Sequence, residues 1–165
     1  MTEDQSGSGR KIKSIECFFD GCTEPVNPGG YAGYGCVVLM DGKRIWEHSG
    51  FIDKDPGTSN NLAEYSGFLA LLEFLIKNRL NRKSVMFFGD SKLVLYQMFL
   101  DPSIGRPWKM NGGRYFKTAM KAKELLKKFP KSKCEWIPRE ENSLADELSK
   151  AELLKRGVVF KIQPE

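Results

Sequence analysis

No window of this 165-residue chain approaches the ~20 consecutive apolar residues of a membrane span, which excludes a helical membrane protein. Residues 1–10 are polar and Gly/Ser-rich and lack the apolar run of a secretion signal; they are expected to be a disordered leader. Histidine is almost missing. His48 stands alone in the alternating stretch Trp46-Glu47-His48-Ser49, where it reads as a surface or edge residue rather than a ligand. The four cysteines, Cys17, Cys22, Cys36 and Cys134, have no metal-ligand spacing, and a domain of this size needs no disulfide staples. Three of them lie in or beside apolar strands as small buried hydrophobes. The only Gly-rich loop, residues 29–35, precedes a strand and not a helix, which argues against a small-molecule enzyme with a phosphate cradle. A soluble, cytoplasmic chain is the expectation.

What is present suffices for one core: 41% apolar residues, 12% of the chain aromatic, and a length typical of one domain. Domain boundaries are expected at 11–156, with 157–165 an extended tail. The formal charge of +5 is unevenly spread. Residues 106–133 hold ten Lys/Arg against the single acid Glu124, a net +9, so the remainder of the chain is net −4. A basic segment on an acidic body suits an anionic polymer as partner; a solvated lysine-rich helix face is the plain alternative.

Apolar patterning predicts strands over 11–20, 34–40, 44–52, 84–88 and 133–137, with Asp41-Gly42 as a hairpin turn and residues 22–33 as a loop. Helices are predicted where apolar residues step by three and four. One carries Leu62, Tyr65, Leu69, Leu72 and Ile76 behind an N-cap at Ser59 or Asn60, and others span 91–100, 114–129 and 143–156. Strands interleaved with helices after an opening meander imply an α/β mixed sheet covered by helices.

The chemistry gathers at element ends. Ile15-Glu16-Cys17-Phe18-Phe19-Asp20 is an apolar strand stopping at an acid, and Gly21 lets the backbone turn there, so Asp20 is expected at the rim of the sheet. Glu64 falls in the first turns of a helix, Asp90 closes a second apolar strand, and Asp146 lies early in the last helix. Ligands collect beyond the carboxyl ends of strands in such sheets. Converging carboxylates stay ionised together only around cations, and Mg²⁺ favours oxygen ligands shared with substrate phosphates. Four acids beside a basic face therefore point to metal-assisted phosphodiester hydrolysis, although any one of them alone could be a helix cap or a surface group.

Four motifs in order carry a resemblance. They are Phe18-Phe19-Asp20-Gly21 followed by Asn27-Pro28-Gly29-Gly30 and Gly33-Tyr34-Gly35; Asn60-Asn61-Leu62-Ala63-Glu64; Gly89-Asp90-Ser91-Lys92-Leu93-Val94; and Trp136-Ile137-Pro138-Arg139-Glu140-Glu141-Asn142-Ser143-Leu144-Ala145-Asp146. Over roughly residues 12–154 the chain resembles a type 1 ribonuclease H. The resemblance implies a ribonuclease H-like fold with strand order 3-2-1-4-5, and endonucleolytic cleavage of the RNA strand of RNA/DNA hybrids that leaves 5′-phosphate and 3′-hydroxyl ends. It implies two Mg²⁺ ions, with Mn²⁺ as substitute, held by Asp20, Glu64, Asp90 and Asp146, Asp20 bridging both. By the same likeness Glu64, Asn61 and the backbone at Gly21 and Cys22 lie near the ribose 2′-hydroxyl, and Asn60 and Asn61 face the minor groove. Asn27, Ser59 and Asn111 would hold a DNA-strand phosphate, and the partner would be an RNA/DNA hybrid met by a monomer.

Three departures from the family pattern stand out. The loop from Asp20 to Asn27 is one residue longer than usual. Arg139 replaces a histidine common in the loop before the last acid, and as a permanent cation it cannot be a general base. Residues 101–113 replace a longer basic protrusion; there Trp108-Lys109, with Lys117 and Lys121, would form a reduced DNA-strand groove, unless Trp108 packs on the domain's own edge. The competing readings are a resolvase or integrase of the same fold, a nuclease also cutting double-stranded RNA, and a non-catalytic nucleic-acid binder.

Overall fold

The computed structural model describes residues 14–161. The expected leader, residues 11–13 of the first strand and the last four residues of the tail lie outside the described residues. Five strands form one mixed sheet, β1 (Ile15–Glu24), β2 (Tyr31–Met40), β3 (Lys43–Ile52), β4 (Val85–Gly89) and β5 (Ser132–Trp136), in the order β3-β2-β1-β4-β5. The first three pair antiparallel as a meander; β4 joins β1 and β5 joins β4 in parallel. Four helices cover it: α1 (Asn60–Lys77), α2 (Lys92–Met98), α3 (Phe116–Leu126) and α4 (Ser143–Lys155), the last preceded by a single 3₁₀ turn, Arg139–Glu141. No helix among the described residues is long and apolar enough to cross a membrane.

Alternation along β1 divides the molecule. Ile15, Cys17 and Phe19 point to one face and are fully buried with Tyr65, Phe68, Leu71, Leu72 and Leu75 of α1. Phe87 of β4 and Ala119 and Ala122 of α3 complete this core. On the opposite face α4 crosses β2, β1 and β3. It approaches so closely that a Cβ on Gly35 would lie 2.4 Å from the Ala145 carbonyl oxygen, a separation no side chain tolerates. Gly35 stands opposite Asp20 in the β1–β2 register, so this contact sets the height of α4, and with it Asp146, over the acid on β1.

Three sequence expectations are corrected. The first strand does not stop at Asp20, nor do residues 22–33 form one long loop: β1 runs on to Glu24, paired residue by residue with a β2 that starts at Tyr31. Ladder hydrogen bonds outweigh the Gly-rich local signal. The basic helix is shorter than the expected 114–129. Gly112 and Gly113 hold positive φ before it, and beyond Leu126 the chain tightens into three-residue turns (Lys128 N–H to Leu125 O, 2.9 Å; Phe129 N–H to Leu126 O, 3.0 Å).

Gly35→Ala is expected to destabilise the domain by about 1–3 kcal/mol or more through overpacking, read as a lower urea midpoint. An unchanged midpoint would show that α4 does not rest on this contact.

Candidate active site

The parallel ladder between β1 and β4 ends at Phe18 opposite Phe88, two residues before Asp20, so Asp20 looks out beyond the carboxyl end of β4. It is only 5% exposed, and its Oδ1 accepts the Gly21 N–H at 2.8 Å. Gly21 is required for packing rather than for a turn: a Cβ there would sit 2.5 Å from the backbone nitrogen of Glu64. That close approach of α1 to β1 brings Glu64 to Asp20. Ser59 caps α1, its Oγ accepting the Leu62 N–H at 3.2 Å, and so fixes where the first turn begins. Asp90 follows the last residue of β4. Its carbonyl accepts the Trp136 indole N–H at 3.1 Å, and Ser91, which caps α2, also hydrogen-bonds Glu64.

One ligand oxygen each from Asp20, Glu64 and Asp90 lies within 4.8 Å of the others. Burial, then the charges of Asp90 and Glu64, push the Asp20 carboxyl up to about 9. Burial and Asp90 push Glu64 up to about 8, against the hydrogen bond from Ser91 and the charge of Arg139. Asp90 is also raised, chiefly by burial, with Arg139 opposing. An all-oxygen donor set that resists ionising without a cation suits a hard divalent ion, Mg²⁺ or Mn²⁺.

Asp146 stands apart from this trio, across the same cleft of about 530 Å³, and has cations of its own. Arg139 Nη2 lies 3.7 Å from its Oδ1, and Lys150 Nζ, one helical turn on, 3.1 Å from its Oδ2. Asn142, 1% exposed, ties the start of α4 to β1 by donating from Nδ2 to the Phe19 carbonyl at 2.9 Å. Neither Lys150 nor Asn142 stood among the expected site residues. Lys150 was legible as an acid–lysine pair four apart on a helix; the Asn142 bond spans 123 residues and leaves no local signal.

Gly21, Cys22 and Asn60 also line the cleft. Asn27 reaches its edge, where its Oδ1 accepts the Asn60 N–H at 3.2 Å, so Asn27, Ser59 and Asn60 meet at the start of α1, with Asn61 exposed beside them. The other expected contacts lie outside the cleft. Trp108 gives its indole N–H to Asp101 at 2.7 Å and meets Tyr96 edge-on at 5.4 Å. The Lys109 carbonyl accepts from buried Gln97, whose other amide end takes the Tyr65 hydroxyl proton. Asn111 and Lys117 are exposed, and Lys121 pairs with Glu73 of α1 at 3.4 Å.

Residues 18–152 match the family model described as reverse transcriptase-like. Over 127 residues the chain is 35% identical to the bifunctional protein Rv2228c of Mycobacterium tuberculosis, covering 74% of this chain and 31% of that protein. It thus spans about a third of the length of the curated relatives it first matches. The solved N-terminal RNase H domain of Rv2228c superposes with a TM-score of 0.73 at 30% identity, over 88% of this chain and 96% of that one. LC11-RNase H1, solved in complex with an RNA/DNA hybrid, gives 0.72 at 29% identity, over 86% and 98%.

Without divalent ions the folded chain keeps protons on Asp20 up to about pH 9 and on Glu64 up to about pH 8, while the unfolded chain loses them near pH 4. Between those values the folded state binds more protons, so its stability falls as pH rises. In EDTA the melting temperature is expected to drop between about pH 5 and pH 9, and Asp20→Asn to flatten that slope. Excess Mg²⁺ should raise the melting point more at the alkaline end. A slope of opposite sign, or one that Asp20→Asn leaves alone, would contradict the assignment.

Proposed function

The chain belongs to the reverse transcriptase-like family and, within it, to the type 1 ribonucleases H, and from this we propose that it hydrolyses the RNA strand of RNA/DNA hybrids with two metal ions, leaving 5′-phosphate and 3′-hydroxyl ends. The observation that carries the reading is the convergence of Asp20 within β1, Glu64 on α1 and Asp90 just past the carboxyl end of β4. Those three and Asp146 are the residues that would hold Mg²⁺, or Mn²⁺ in its place. Bound metal supplies an activated water and neutralises the charge developing on the leaving oxygen.

The protein's own groups have distinct tasks in this reading. Asp20, nearly fully buried and accepting the Gly21 N–H, would hold metal together with Glu64, Asp90 and Asp146. Lys150 and Arg139 orient Asp146 from either side. Arg139, a permanent cation at the mouth of the cleft, would draw the product phosphate away and takes no proton. Glu64, Asn61 and the Gly21–Cys22 backbone would test for the 2′-hydroxyl that separates RNA from DNA. Asn60 and Asn61 would face the minor groove. Asn27 uses its oxygen on the Asn60 N–H, while its amide nitrogen keeps two donors suited to a DNA-strand phosphate beside Ser59, with Asn111 as a further contact. Lys117 and Lys121 on α3 would follow the DNA strand with Lys109. Trp108 would meet a sugar through its ring face only, because Asp101 holds its N–H. A monomer suffices for all of these contacts.

End-labelled RNA/DNA hybrid, RNA duplex, DNA duplex and single-stranded RNA, each with Mg²⁺ or EDTA, separate the readings. The expected result is metal-dependent cutting of the hybrid's RNA strand, reduced at least about a hundredfold by Asp90→Asn, since a lost metal ligand removes several kcal/mol of charge stabilisation. Arg139→Ala should slow turnover at every Mg²⁺ concentration. Binding of the hybrid without cutting in either metal would hand the function to a non-catalytic module, and cutting of the RNA duplex would widen the substrate class.

A further inference from the structure

Helix α4 ends in a Schellman turn: Gly157 has φ +80°, its N–H donates to the Leu154 carbonyl at 3.0 Å, and the Val158 N–H donates to Leu153 at 3.0 Å. The turn sends residues 158–161 back to the distal end of β1. There the Lys161 backbone N–H donates to Oε1 of Glu24 at 2.8 Å, a carboxylate on a residue only 5% exposed. The start of this strap is held as well, since the Arg156 guanidinium lies 3.9 Å from the centre of the Phe51 ring. Between the two anchors Phe160 enters the lining of the acid cleft, beside Cys22, Thr23 and Glu24.

A phenyl ring is out of place there on stability grounds. Phe160 is half-buried, stands outside the hydrophobic core and pairs with no other aromatic ring among the described residues. Thr23, 1% exposed in the same wall, has its hydroxyl unpartnered among the described residues. An apolar surface contributes nothing to holding metal, yet it matches the hydrocarbon face of a sugar or the face of a base. The strand of substrate that passes Gly21 and Cys22 must pass it.

We propose that Phe160 is a substrate-contacting residue: the strap anchored on Glu24 holds its ring as the apolar wall of the cleft beyond Cys22, where it packs on a nucleotide of the RNA strand next to the scissile bond and helps select which bond reaches the acids. The inference rests on the hybrid-cleaving reading of those acids. It makes the segment after α4 part of the recognition surface.

The test is steady-state cleavage of one hybrid by the full chain and by Phe160→Ala, Phe160→Trp and Lys161→Pro, the last deleting the N–H that reaches Glu24. Phe160→Ala is expected to raise KM roughly fivefold, the low end for loss of a base- or sugar-stacking aromatic, with kcat little changed. The distribution of cut sites should shift. Phe160→Trp should keep the wild-type KM, Lys161→Pro should move KM in the same direction as Phe160→Ala, and the melting temperatures of the two Phe160 variants should match wild type. If wild type cuts the hybrid and Phe160→Ala matches it in KM and cut sites, the inference falls alone. A higher kcat/KM in Phe160→Ala would overturn it too, by showing that the ring obstructs the cleft. Failure of wild type to cut any hybrid would instead remove the underlying reading.

Discussion

Three carboxylates with oxygens within 4.8 Å of one another cannot all be charged in a partly buried cleft unless a cation joins them, and much of the structure serves to hold them there regardless. The cohesion comes from elsewhere. Apolar burial on the α1 face of the sheet fixes β1 and β4, the closeness of Gly21 to α1 brings Glu64 over Asp20, and Gly35 under α4 sets the level of Asp146. Asn142, bonded across the chain to the Phe19 carbonyl, locks the last helix to the strand that carries the first acid. Burial first, and mutual repulsion second, hold protons on these carboxyls in the metal-free protein, an arrangement compatible with a divalent ion.

Charge is divided between two surfaces. The acids sit in the cleft, with Arg139 and Lys150 gripping Asp146, while the lysines of α3 are exposed beyond that helix's buried Ala119 and Ala122. In the proposed reading a polyanion drawn to the basic face by long-range attraction would reach the acids through bound metal. Trp108 and Lys109 are held apart from the cleft by Asp101, Tyr96 and buried Gln97.

The fold class, the strand order implied by the resemblance and the elements that carry the four acids were legible in the sequence. Apolar runs ending in acids, a cap such as Ser59 and the three-four spacing of α1 are local signals. What escaped was set by distant contacts. Gly21 and the glycines after it suggest a turn, yet β1 continues to Glu24 because β2 offers partners from Tyr31 onward. Gly21 itself answers to a helix that meets it from the far side of the sheet. The Asn142 bond to Phe19 and the return of residues 158–161 to Glu24 join positions more than a hundred residues apart, which no periodicity encodes. Lys150 is the exception: its spacing from Asp146 was visible, but only the fold shows that the pair faces the cleft.

Proton release on metal binding probes the central claim directly. Calorimetric titration of Mg²⁺ into the metal-free chain near pH 7, repeated in buffers of different ionisation enthalpy, counts the protons displaced. Groups held up at about 9 and about 8 should give up between about one and two protons per chain, falling toward none as the pH passes those values. Mg²⁺ binding that releases no proton at neutral pH would mean that the acids are already ionised without metal, contradicting the burial and repulsion that this view of the site depends on.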